Sequence, residues 1–301
     1  MSNTIDRRTV IKNLSITAGT LGLAGVSASC VISVDDKEEK KPKTETELKG
    51  NINHTACRWC YQDIPLETFA EKSAEIGLKA IDLLTPEEWP MVAKYGLKSS
   101  LGTDVFADIQ NGFNTSENHA SLQQKYMRLI DKASDNDVKQ VIVFSGNRNG
   151  MSDDQGLENC AIGLDPLVNY ASKKGITVIM ELLNSKVDHR DYQCDRTPWG
   201  VQLVEKIGSD HFRLLYDIYH MQIMEGDVIA TIRKYHQYIA HYHTGGVPGR
   251  NEINDSQELN YPAIMKAIVA TGFKGYVAQE FIPTYEDKLA ALKEGVLICD
   301  I

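Results

Sequence analysis

The sequence predicts an α/β protein whose main body is one closed (β/α)8 barrel, and three observations carry that prediction. Short apolar runs alternate with amphipathic segments eight times over roughly 250 residues, an order that calls for parallel strands joined by crossover helices. Four of the runs end in an acid or a histidine, at Glu181, Asp217, His243 and Glu280. A barrel gathers the C-terminal ends of its strands on one face, so these four tips would meet there. No GxGxxG or P-loop stretch is present, which leaves an open nucleotide-binding sheet without its usual turn.

Taken in order, residues 51–57 read as the first strand. Residues 65–76 read as a helix with Leu66, Phe69, Ala70, Ala74 and Ile76 along one side, stopped by Gly77. A second strand is expected at 79–84, a short helix at 86–95 closed by Gly96, and a third strand at 97–101. After a long loop, 119–136 reads as a helix and Gln140-Val141-Ile142-Val143-Phe144 as a β-branched strand. The Gly-, Asn- and Ser-rich stretch 145–154 is expected at the surface, ahead of a helix that stops at Gly175. The remaining strands lead into the four tips and alternate with helices at 198–207, 227–235, 262–270 and 285–297. Residues 221–224 read as helix packed against the barrel.

Ahead of the barrel, Arg7-Arg8-Thr9-Val10-Ile11-Lys12 and the small-residue-rich apolar stretch up to Cys30 resemble a twin-arginine export signal. Residues 1–30 are therefore read as the export segment, 31–50 as a charged linker and 51–301 as the barrel. Val26-Ser27-Ala28-Ser29-Cys30 is similar to a lipoprotein processing box with Ser27 where a larger apolar residue is usual, which leaves a lipid anchor at Cys30 open. The apolar stretch is too short for a permanent membrane span. These features predict an exported protein, periplasmic or anchored at the membrane. The net charge of −9 includes a basic leader and a nearly balanced linker, so the barrel itself is acidic, and that argues against nucleic acid as a partner. Cys57, Cys60, Cys160, Cys194 and Cys299 form no paired framework. The CxxC spacing of Cys57 and Cys60 has neither a second such pair nor a thioredoxin-like surrounding to support redox or zinc use.

Three carboxylates and an imidazole at one mouth would repel one another and raise their own pKa values unless a cation sat among them. Glu181, Asp217, His243 and Glu280 are accordingly read as ligands of a divalent metal. Oxygen-rich donors with one imidazole suit Mn²⁺ or Mg²⁺, with Co²⁺ also compatible. Each acid taken singly has a plainer reading as a helix cap or an ion-pair partner. Their appearance on four consecutive strands is what points to a metal. Such a site suits proton transfer at a carbon beside a carbonyl, with Glu181 and Glu280 as the acid/base pair. His220, one turn beyond Asp217, could donate to a substrate hydroxyl or serve only a nearby backbone carbonyl.

The strings Val178-Ile179-Met180-Glu181-Leu182-Leu183-Asn184, Tyr216-Asp217-Ile218-Tyr219-His220-Met221-Gln222 and Ala278-Gln279-Glu280-Phe281 carry these residues, together with the stretch from His243 through Val247-Pro248-Gly249-Arg250 to Glu252. As a set they resemble the hydroxypyruvate isomerase branch of the xylose isomerase-like TIM barrels, a superfamily that also holds ketose 3-epimerases. The resemblance covers the chain from Asn51 onward. It implies that Glu181 and Glu280 are both metal ligands and the acid/base pair, that Asp217 and His243 complete the metal site, and that His220 and Arg250 orient the substrate, Arg250 by holding a carboxylate or hydroxyl. Two departures stand out. Hydroxypyruvate isomerases more usually carry glutamine where this chain has His243, a histidine being closer to the sugar epimerases, and an export signal does not match an intracellular metabolite. A sugar or oxidised sugar is therefore as fitting a substrate as hydroxypyruvate.

Among the remaining candidates, Asn184 could bond the substrate, and Trp59 could stack on a sugar face or pack at the rim. His54, within the first strand, could face the barrel interior. His189, Arg190 and Arg196 follow Glu181, where they could form a lid or stay solvated. The expected activity is that of a metal-dependent isomerase or epimerase on a small hydroxycarbonyl or sugar. The alternatives are a metal-dependent sugar hydrolase or lyase on the same barrel, and a non-catalytic sugar-binding protein at the cell surface. Binding alone needs no acid/base pair, and the histidines and basic face of an endonuclease are lacking. Isomerisation and epimerisation begin with the same proton abstraction, and nothing in the sequence addresses homo-oligomerisation, so both stay open.

Overall fold

The computed structural model describes residues 47–301, so the expected export segment (1–30) and residues 31–46 of the expected linker lie outside the described residues. The last linker positions are tied to the barrel. The Lys49 backbone N–H donates to the Asp300 carboxylate at 3.0 Å, and its ammonium donates to the Asp300 carbonyl at 2.9 Å.

Among the described residues the order is β1 (Asn53–Ala56), α1 (Leu66–Ile76), β2 (Ala80–Ile81), α2 (Trp89–Ala93), β3 (Lys98–Ser99), α3 (His119–Asp135), β4 (Gln140–Val143) and α4 (Asp153–Lys173). There follow β5 (Thr177–Leu182), α5 (Thr197–Ile207), β6 (Phe212–Asp217), α6 (Ile218–Met224), α7 (Val228–Tyr235), β7 (Ile239–Thr244), α8 (Tyr261–Ala270), β8 (Tyr276–Gln279) and α9 (Lys288–Cys299). Six strands make one parallel sheet in the order β1-β8-β7-β6-β5-β4, and β2 pairs with β3. Single parallel bridges, Cys57 to Asp82, Leu84 to Gly102 and Gly102 to Val141, carry the pairing from β1 through β2 and β3 to β4. The strands thus close on themselves as the alternating order predicts.

The helix stops follow from backbone chemistry. Gly77 ends α1 at φ 101°, its N–H donating to the Ala74 and Ser73 carbonyls. A side chain in that left-handed region would be strained, and glycine is not. At the other end of a helix, the Ser152 hydroxyl oxygen accepts from the Gln155 N–H and caps α4.

Three expectations are corrected. The second and third strands, read at 79–84 and 97–101, keep only two residues each, the second ending where Leu83 turns to φ 55° and breaks the pleat. The helices read at 221–224 and 227–235 are both present, as α6 and α7, with α6 starting earlier, directly on β6, because Asp217 caps it. The stretch 145–154 is only partly at the surface: Ser145 and Gly146 are buried, the Ser145 hydroxyl accepting from the Cys194 N–H at 3.0 Å under the loop that follows β5. His54 does not face the barrel interior. Its strand neighbour Thr55 does, bonding Ser100 at 3.0 Å, so alternation turns His54 outward, where its Nε2 lies 3.8 Å from Asp300.

Candidate active site

Alternation along β5, β6 and β7 sends Glu181, Asp217 and His243 into the barrel mouth, and Glu280 follows as the first residue beyond β8. Asp217 and His243 are direct register partners. All four side chains are buried, and one ligand atom from each lies within 4.8 Å of the others. His243 Nδ1 stands 2.8 Å from Glu280 Oε2 and 3.2 Å from Glu181 Oε1. Arg250 reaches in from the β7–α8 loop, its Nη2 donating to Glu280 Oε2 at 2.5 Å and to Asp217 Oδ2 at 3.4 Å. Its guanidinium lies between the rings of Trp59 and Tyr219, 5.1 and 5.3 Å from their centroids. The Arg250 backbone is fixed at φ 59°, with its N–H donating to the Gly246 carbonyl and its carbonyl accepting from Ile282.

Burial and neighbouring charge split the carboxylates. Burial raises Asp217 well above the usual carboxylate range despite Arg250, and it raises Glu181, with repulsion from Glu280 adding to the effect. Burial opposes ionisation of Glu280 too, but Arg250 and His243 outweigh it and hold that acid well below its ordinary value. Burial lowers the His243 imidazole, but Cys57, Glu280 and Asp82 outweigh it and raise His243 well above its ordinary value, so the positive charge among these three buried acids comes from Arg250 and from this ring.

The imidazole is set from behind by a residue that sequence reasoning passed over. Asp82 is fully buried, and its Oδ2 accepts from His243 Nε2 at 2.8 Å and from His241 Nε2 at 3.2 Å. Its Oδ1 accepts the Ser100 hydroxyl at 2.5 Å. Burial alone would raise this acid, but His241 and His243 hold it far below the usual range. With its Nε2–H committed to Asp82, His243 turns Nδ1 toward Glu181 and Glu280. An acid inside an apolar strand run, and histidines two apart on β7, were the available clues.

His220 is oriented in the same way. Asn184 Oδ1 accepts from the Val187 and Asp188 N–H groups, which leaves its amide nitrogen to donate to Asp188 Oδ2 and to His220 Nδ1, both at 2.6 Å. The ring therefore carries its proton on Nε2, a buried atom with no hydrogen-bond partner, 3.6 Å from Asp217 Oδ2. Burial and then Arg250 push His220 well below its ordinary pKa, so it is neutral. Asn184 thus holds His220, and the backbone-carbonyl role considered for His220 is not what the ring does.

Trp59 sits in the turn after β1 and donates its indole N–H to Glu280 Oε1 at 2.8 Å, which ties it to the cluster. His189 lies with its ring centroid 5.2 Å from that of His220, while Arg190 and Arg196 stay exposed. The five described cysteines are free and buried, and burial keeps the Cys57 thiol protonated beside Asp82.

The residues present fit a divalent ion. Glu181 Oε1 is buried without a hydrogen bond, His243 Nδ1 is aimed into the cluster, and three carboxylates with one imidazole are a hard, oxygen-rich donor set.

Comparison with known proteins follows the same lines. The family model described as "Xylose isomerase-like TIM barrel" matches residues 65–297. The putative hydroxypyruvate isomerase of Homo sapiens is 24% identical over 229 residues, 75% of this chain and 77% of that protein. The 2-oxo-tetronate isomerase of Cupriavidus necator is 33% identical over 127 residues, 42% of this chain and 46% of that protein. The match to the Escherichia coli hydroxypyruvate isomerase, at 28% identity, likewise spans 44% of this chain and about half, 51%, of that relative. Among solved structures, an AP endonuclease of family 2 from Brucella melitensis superposes with a TM-score of 0.72 at 22% identity, covering 80% of this chain and 97% of that one. A D-psicose 3-epimerase from Clostridium cellulolyticum H10, solved with D-tagatose, gives 0.68 at 16% identity over 83% and 100%. At those identities the likeness is one of fold.

Proposed function

Because the chain belongs to the xylose isomerase-like TIM barrels, as a hydroxypyruvate isomerase-like isomerase or epimerase, we propose that it moves a proton at a carbon beside a carbonyl of a hydroxycarbonyl or sugar substrate. The observation that supports this most directly is the pair Glu181 and Glu280, brought to one imidazole from strands on either side of β6 and β7. Glu280, kept ionised by Arg250 and His243, is suited to take the proton from carbon. Its electron pair passes toward the carbonyl oxygen. Glu181, raised by burial and by Glu280, is suited to return a proton to the neighbouring carbon or to the opposite face.

Glu181, Asp217, His243 and Glu280 would hold the Mn²⁺ or Mg²⁺ in this reading. When bound, the ion supplies Lewis-acid stabilisation of negative charge on the substrate oxygens. His220 offers its Nε2–H to a substrate hydroxyl or carbonyl oxygen. Arg250, pinned by two carboxylates, keeps the cluster compact, and its buried Nε–H, which has no hydrogen-bond partner among the described residues, is free to donate to a substrate oxygen. Trp59 closes one wall and fixes Glu280 through its indole N–H.

The test is deuterium uptake from solvent by hydroxypyruvate, ketoses, aldoses and oxidised sugars, followed by proton NMR with the full chain loaded with Mn²⁺. Uptake beside the carbonyl that disappears on chelation and in Glu280→Gln supports the reading. Tight Mn²⁺ binding with no uptake from any substrate refutes it. We also propose, from Arg7-Arg8 and the apolar stretch that follows, that the chain is exported, which cell fractionation of an Arg7→Lys, Arg8→Lys variant would check.

A further inference from the structure

A cleft of about 770 Å³ opens beside the carboxylate cluster rather than over it. Its walls come from three loops: residues 105–110 after β3, Asn147 after β4, and residues 187–190 after β5. Two wall residues touch the site. His189 stacks edge-on to His220, and Asp188 accepts from Asn184, the residue that orients His220, and from the Tyr219 hydroxyl. The cleft and the cluster therefore share a wall.

The three loops are knitted to one another. The Asn147 N–H donates to the Gln110 carbonyl at 2.9 Å, Arg148 N–H to the Asp191 carbonyl at 2.7 Å, and Asn149 N–H to the Asp191 carboxylate at 2.7 Å. A cleft so braced is preformed, which favours ligand binding because little ordering remains to be done.

Size and charge limit what fits. At about 30 Å³ per water, the cleft holds the equivalent of about 25 waters, far more than the distal atoms of a three-carbon keto acid would displace. Its ionisable side chains are Asp108, Asp188, Arg190 and the half-buried His189, so cations are not in excess, and a phosphate would meet two carboxylates. The Asp108 carboxylate is held by the Gln110 N–H and the Asn111 amide, and Gln110 and Asn147 add amide groups able to bond hydroxyls. Val105 and Val187 stand exposed at the rim, where sugar C–H faces pack.

We propose that this cleft binds the distal part of the substrate, and that the substrate is a neutral glycoside or disaccharide derivative rather than a free three-carbon keto acid or a sugar phosphate. The assignment rests on the isomerase or epimerase reading of the adjoining cluster and gives it a substrate class. Binding energy gathered in the cleft, remote from the reacting carbon, is what such an enzyme can use to orient that carbon.

The experiment measures binding of cellobiose, glucose, glucose 6-phosphate and hydroxypyruvate to the Mn²⁺-loaded full chain by calorimetry and ligand-observed NMR. Wild type is compared with Val187→Trp and Arg190→Ala, both at exposed positions that the fold does not depend on. Cellobiose is expected to bind at least tenfold tighter than glucose. Val187→Trp should remove that advantage and leave glucose within twofold, and glucose 6-phosphate should gain nothing over glucose. Equal affinity for the two sugars, indifference to both variants, or preference for the phosphate overturns the proposal. Deuterium uptake on the same samples separates it from the underlying reading. Uptake with hydroxypyruvate or fructose but no cellobiose preference removes the cleft assignment and leaves the chemistry. Cellobiose selectivity with no uptake from any substrate leaves the cleft assignment and removes the chemistry.

Discussion

Strands β4 to β8 carry four to six residues each and pair continuously round to β1, apart from one irregularity between Leu214 and Leu215. Strands β2 and β3 carry two residues each and join their neighbours through single bridges. The long-strand half supplies every member of the carboxylate–imidazole cluster, and the short-strand half supplies one acid, Asp82, which stands behind it. The difference shows a division of labour. Groups that must meet within a few ångströms are mounted on continuous hydrogen-bonded strands, while the irregular half provides an anchor for a ring and the loops that wall the cleft.

If that division is right, the largest loss comes from breaking the long-strand half at its tips. Glu280→Gln or Glu181→Gln should lower metal-dependent deuterium uptake by a factor on the order of 10²–10⁴, the usual worth of a positioned general acid or base. Folding, followed by circular dichroism, should survive, because the amide keeps the shape and Arg250 retains Asp217 as a partner.

The next effect concerns the outer face of β1. Burial drops the His54 imidazole to about 4, against the opposing pull of Asp300, and both ring nitrogens lack hydrogen bonds. An unfolded chain takes up this proton near pH 6.5 and the folded chain does not until pH falls to about 4. Stability is therefore complete above about pH 6.5 and falls as pH drops toward 4, by about 3 kcal/mol from this group. Urea unfolding across that window should show the slope in wild type and lose it in His54→Phe. An unchanged slope in the variant would assign the pH dependence to other groups.

The same division explains what could be read before the structure. Glu181, Asp217, His243 and Glu280 were legible because each ends or follows a β-branched or apolar run long enough to declare its face. Asp82 sits beside a two-residue strand, where no alternation establishes which way a side chain points, and His241 was hidden inside the run that led to His243. Asn184 was noticed as a substrate contact, yet its hydrogen bonds go to His220 and Asp188, a role that only the loop's fold reveals. Of α6, residues 221–224 were read as helix, but its start at Ile218 was missed because its cap, Asp217, is also a strand end, so no turn residue separates the two elements.

The anchoring role of the short-strand half can be tested by itself. Asp82→Asn keeps the size of the side chain but weakens its hold on the two ring N–H groups of His241 and His243. Mn²⁺ affinity, measured by titration, should fall by about 10–100-fold, the common cost of losing a partner behind a metal-binding histidine. Ser100→Ala is the sharper control. It removes one hydroxyl donor from Asp82 Oδ1 and the bond to Thr55, and leaves both histidine contacts in place. It should cost about 1 kcal/mol of stability and change Mn²⁺ affinity by less than about threefold. Should Ser100→Ala weaken the metal as much as Asp82→Asn does, then β2 and β3 act on the site through general packing, and the assignment of Asp82 as the group that aims His243 fails.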